Sequence, residues 1–269
     1  MNPSVLFVFI LSALLGVLRA ADLAFGTDAV TGLCLVGSVW WRYLALGIVV
    51  LAAVLVGRTQ PSRSEAVRSR RPLAGVLAFA GAVCFLAAAG AQIALGAASG
   101  LGGFVRCILE CVCSVWLSTM GRCWLSPDAW KKPFGGLYLA VAGSLLFYWN
   151  VLMRFMENSS SWHRVEPTAM VWQMLAALVF LSAMVRALWL PETSNGCQLC
   201  EAGICTFLLC FCWELPRVLV LLFHGITVAD LPEVLFGFGM CCIGALGLFT
   251  VARVAGSDGR PAIPRHAVG

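Results

Sequence analysis

Eight stretches of roughly twenty residues run through this sequence with little or no charge, and they leave one environment in which the chain can fold. A helix needs about 20 apolar residues, within roughly 17–25, to cross the hydrocarbon of a bilayer. On that criterion the spans run at approximately 4–21, 41–57, 73–95, 104–124, 134–153, 168–189, 204–224 and 233–252. They are continuously apolar and lack the period-two alternation of a barrel strand, so helices are expected. Composition agrees: 61% of residues are hydrophobic and 12% charged, against roughly 45–50% and about 25% in soluble domains. The longest strongly polar run, Arg58 to Pro72, is too short to fold alone. The expected fold is therefore all-α, a polytopic transmembrane helix bundle over residues 1–253, followed by a short tail, 254–269.

Charge sets the orientation. The formal net charge of +5 does not point to nucleic acid, because the bases lie between apolar spans rather than on one polar face. The second connection carries Arg58, Arg63, Arg68, Arg70 and Arg71 against Glu65, the fourth adds Arg122, Lys131 and Lys132, and the tail adds Arg253, Arg260 and Arg265. Alternate connections hold fewer bases: Arg19, Arg42, Arg154 and Arg164. The positive-inside rule then predicts a multi-pass protein of the cell membrane with both termini in the cytoplasm. The Arg58–Arg71 connection also suits anionic lipid headgroups on that face. The first span has signal-peptide length, yet its first four residues hold no Lys or Arg, and Leu18 stands where a cleavage site needs a small residue; a retained helix is expected.

A shift of 131 positions brings four spans onto four, with Trp41 facing Trp172, Cys111 facing Cys242 and Arg122 facing Arg253. This suggests a 4+4 parallel internal repeat, residues 1–125 and 134–253.

Against this apolar background, "CFCWELPRVLVLLFHG" in the seventh span stands out, with Glu214 and Arg217 one helical turn apart and Pro216 between them. Residues at i,i+3 share a face and can pair, and proline frees a backbone carbonyl and kinks the helix. In the fourth span Arg106 and Glu110 stand at i,i+4, and Glu110 reaches a depth that permits pairing with Arg217 across helices. Gln92, Asn150 and Gln173 fall in the same outer halves of their spans. Intramembrane charges mark functional sites by default, so Glu214, Arg217, Glu110 and Arg106 are the candidates for binding a substrate or ion. The competing explanation is structural: paired charges that only fix helix packing.

Other signals are weaker. Cys197 and Cys200 form a single CxxC pair, two soft ligands where zinc needs four; most of the thirteen cysteines read as small core hydrophobes. Asn158-Ser159-Ser160 is a glycosylation sequon beside His163 and Arg164. Small residues four apart in the third span, Ala78 with Ala82 and Ala87 with Ala91, suit close packing within the bundle. No Walker A, dinucleotide-binding or zinc-protease motif is present, and neither a base–nucleophile pair nor a cofactor site is evident. The leading expectation is a carrier or permease-type protein for a small polar solute or ion, in which Glu214 handles a proton or cation. The alternative is a non-catalytic membrane scaffold or subunit of a membrane complex.

Overall fold

The computed structural model describes residues 2–28, 33–60, 65–98, 100–126, 133–156, 165–190, 195–223 and 227–256. The chain forms a helical bundle: α1 (Pro3–Ala21), α2 (Val39–Arg58), α3 (Pro72–Ala94), α4 (Gly100–Leu125), α5 (Gly136–Met156), α6 (Val165–Trp189), α7 (Gly196–Thr206), α8 (Glu214–Phe223) and α9 (Leu231–Gly256). A π-helical segment, Phe207–Trp213, joins α7 to α8 into one seventh span. Eight helical stretches are thus long and apolar enough to cross a membrane, as the sequence predicts.

Helix starts follow local chemistry. The Asn2 side chain accepts from the Ser4 N–H and Pro3 opens α1, while Ser38 accepts from the Trp40 N–H at the start of α2. Both satisfy amides that the first turn leaves without an intrahelical acceptor. The seventh span begins at Gly196, earlier than the sequence suggests. Polar residues lower the hydropathy there, but Leu199, Cys200, Ala202 and Gly203 are buried, so packing extends the helix beyond its apolar run.

Six spans close a ring. In order around it, α3 packs on α4, α4 on α5, α5 on α6, α6 on the seventh span, the seventh span on α9, and α9 back on α3. Helices α1 and α2 lie outside this ring, packed on each other and on the seventh span. The seventh span and α9 are the most enclosed, and their close approach depends on two glycines: a Cβ at Gly247 would lie 2.6 Å from the Gly203 carbonyl oxygen.

The end bearing the basic connections is tied down by its own arginines. Arg68 donates to the Leu188 carbonyl through Nε (3.1 Å) and Nη2 (2.6 Å), satisfying a carbonyl in the last turn of α6. Arg71 is buried ahead of α3. At the opposite end, α1 continues as a π-helical turn, Asp22–Gly26. Asp22 there accepts from Arg19 Nη1 (2.8 Å) and Arg42 Nε (3.0 Å), and Arg42 also donates to the Gly26 carbonyl. Arg19 stacks over the Trp213 ring at 4.8 Å, which fastens α1 to the seventh span. The sequon, His163, Arg164 and the tail beyond Gly256 lie outside the described residues.

Candidate functional site

The ring encloses a cavity of about 260 Å³ at the end away from the basic connections. Every ring span contributes to its wall: Gln92 from α3, Arg106 from α4, Asn150 and Arg154 from α5, Gln173 from α6, Glu214 and Arg217 from the seventh span, Phe236 from α9. Four methionines, Met153, Met170, Met174 and Met240, supply much of the remaining wall. Of its lining residues Phe236 meets Phe85 edge-on at 5.3 Å, and Phe85 in turn meets Phe147 at 6.2 Å.

Two parts of the wall share one construction. Arg106 Nε donates to Glu110 Oε1 at 2.9 Å, and the Gln92 amide donates to both oxygens of Glu110 at 3.0 Å. Arg217 donates to Glu214 Oε1 through Nε (3.0 Å) and Nη2 (2.5 Å), and the Gln173 amide donates to Glu214 Oε2 at 2.9 Å. Each is an Arg–Glu–Gln triad in which the glutamine comes from a neighbouring helix. A carboxylate taken out of water is tolerable only when opposite charge and hydrogen bonds surround it; Glu110 is 0% exposed and Glu214 2%. The guanidiniums stand in front, lining the cavity.

The sequence correctly marks the pairs within each helix, because three- and four-residue spacing is local geometry. The cross-helix pair of Glu110 with Arg217 that their depths permit does not form. Glu110 is held by Arg106 and Gln92, whereas Arg217 turns its remaining terminal nitrogen towards Glu166 (3.5 Å) and Glu233 (3.8 Å). Both of those acids are partly exposed and form the rim of the seventh-span side. Arg106, Glu214 and Arg217 line the cavity, and Glu110 anchors Arg106 from behind.

The backbone explains how Glu214 reaches this position. The π-helical segment Phe207–Trp213 ends directly before it, and wide turns of this kind recur at functional sites. Gln173 also donates to the Leu209 carbonyl (3.1 Å), and Cys210 Sγ donates to the Gln173 carbonyl (3.4 Å). Irregular backbone at membrane depth persists only where protein or a cavity shields it, and here α6 supplies that shield. Facing it, Gly237 leaves room for the carboxylate: a Cβ there would lie 2.8 Å from Glu214 Oε1. Sequence reasoning found Pro216 but not the π turn, and it left Glu166, Glu233 and Arg154 outside the site.

The cysteine pair lies elsewhere. Cys197 Sγ is 3.0 Å from the Gln60 carbonyl and Cys200 is buried. Among the described residues no three His, Cys, Asp or Glu side chains gather in a way that would hold a metal ion, and no disulfide forms.

Comparisons with protein-family models, with curated proteins and with solved structures return no match to this chain.

Proposed function

We propose that this integral membrane protein is a carrier for a small polar solute or ion, taken up in the cavity of the six-span ring. The observation that carries this reading is the double triad: two guanidiniums line one cavity, each held by a buried carboxylate and an amide. The volume of about 260 Å³ lies just below the range of roughly 300–1,000 Å³ typical of ligand pockets, which favours a small occupant.

The chemistry favours an anionic or carboxylate-bearing solute with a proton as its companion. A guanidinium offers such a solute a fork of N–H donors that suits planar oxyanions. In binding Arg217 the solute competes with Glu214, so a proton delivered to that carboxylate would free the guanidinium for the solute. Glu214 is thus the proton-handling group, Arg217 the anion ligand, and Arg106 with Glu110 the facing half of the site. Both termini in the cytoplasm would open the cavity to the outer side.

The test is uptake of radiolabelled small monocarboxylates and inorganic phosphate into proteoliposomes, with the outer pH varied. Glu214→Gln is expected to flatten the pH dependence while leaving uptake measurable, and Arg217→Gln to abolish uptake. An unchanged pH profile in Glu214→Gln removes that residue from the mechanism.

A scaffold or complex subunit is the second reading, favoured by the fact that both triads are internally neutral and hydrogen-bonded without any ligand. It requires a stable partner on purification, and no functional effect when Arg106 and Glu110 are replaced together by glutamine.

A further inference from the structure

On the outside of the ring, α2, α6 and α7 border a second space, a groove of about 520 Å³. One end is apolar, walled by Val50, Trp172, Leu175 and Val179; the other carries Ser182, Arg186, Gln198 and Glu201. Leu175 and Val179 are 43% and 55% exposed, in a helix that crosses the bilayer, so this wall faces acyl chains. From Trp172 to Arg186 the wall rises about 21 Å at 1.5 Å per residue, more than the roughly 15 Å of hydrocarbon in one leaflet.

Charge at the polar end selects the occupant. Glu201 is paired with Arg58 (3.0 Å), and among the described residues Arg186 donates to the neutral Gln198 amide oxygen at 3.4 Å. Among the described residues at this end, two arginines, Arg58 and Arg186, stand against one glutamate. It also lies at the end of the bundle where the basic connections emerge, the side expected to meet the anionic cytoplasmic leaflet.

We propose that this groove is a binding site for an anionic lipid, with its acyl chain along Val179 and Leu175 and its headgroup on Arg186. The occupant is an anionic phospholipid of that leaflet; a free fatty acid, which shares the apolar chain and acidic group, is the competing outcome of the test. The proposal is independent of the solute cavity, which lies within the ring.

The experiment is native mass spectrometry of the full chain released from phosphatidylcholine vesicles containing phosphatidylglycerol and oleate. One retained phosphatidylglycerol per chain, in preference to phosphatidylcholine, is expected; the added mass identifies the lipid, and retention of oleate in its place overturns the phospholipid assignment. Arg186→Gln should lower the retained fraction about fivefold, as the loss of roughly one basic contact predicts, and Val179→Trp should displace the chain and abolish retention. Both residues are exposed, so the variants should fold, which a thermal-unfolding midpoint equal to the parent's verifies. Equal retention of phosphatidylcholine, or retention unmoved by either substitution, overturns the proposal. If Val179→Trp fails to fold, the preference for anionic lipid and its loss in Arg186→Gln decide.

Discussion

At the scale of single residues, each buried carboxylate depends on two donors of different kind, and the two should not be equally costly to lose. Glu110→Ala leaves Arg106 without its counter-charge in a largely desolvated wall, and a loss of about 3–5 kcal/mol is expected. Gln173→Leu removes only a neutral donor from Glu214, and about 1–3 kcal/mol is expected. Denaturant or thermal unfolding of the purified protein in one detergent measures both, and the order of the two effects is the decisive result. These residues also mark how far the sequence can be read. Arg106 with Glu110 and Glu214 with Arg217 are visible from spacing alone, because a helix fixes which neighbours share a face. Gln92 and Gln173 are visible only as polar residues at similar depth. Their partnership depends on how α3 and α6 are rotated in the ring, a property of packing that no local pattern encodes.

At the scale of elements, the seventh span is where local pattern and structure diverge. Its apolar run starts well inside the helix, since the residues from Gly196 onward are held by burial against α2 and α9 rather than by hydropathy. Pro216 signals a distortion but not its form, which is the π-helical segment Phe207–Trp213 ahead of Glu214. Inserting one alanine between Trp213 and Glu214, behind the π segment, would turn all later residues by about 100° and carry Glu214 and Arg217 out of the cavity wall. Membrane insertion should survive, because the span stays long enough, while binding of solute to the purified protein should be lost. Gly237→Ala acts on the same feature from α9: its Cβ would crowd Glu214 Oε1, and a lowered unfolding midpoint is expected.

At the scale of the molecule, the number and type of helices are legible in the sequence because bilayer thickness dictates span length. The ring is not, since apolar segments of similar character carry little information about which neighbour each will choose. The side on which the cavity opens rests on charge asymmetry between connections, and a reporter enzyme fused after Gly269 tests it: activity confined to the cytoplasm is expected, and periplasmic or luminal activity would reverse the orientation. Within the ring the two triads each sum to zero charge where they stand. An elementary charge moved through 100 mV exchanges about 2.3 kcal/mol with the field, but a neutral assembly exchanges almost none. Voltage across the membrane therefore has little grip on either triad, and if the protein is the carrier proposed above, an anion taken up together with a proton would cross without electrical current.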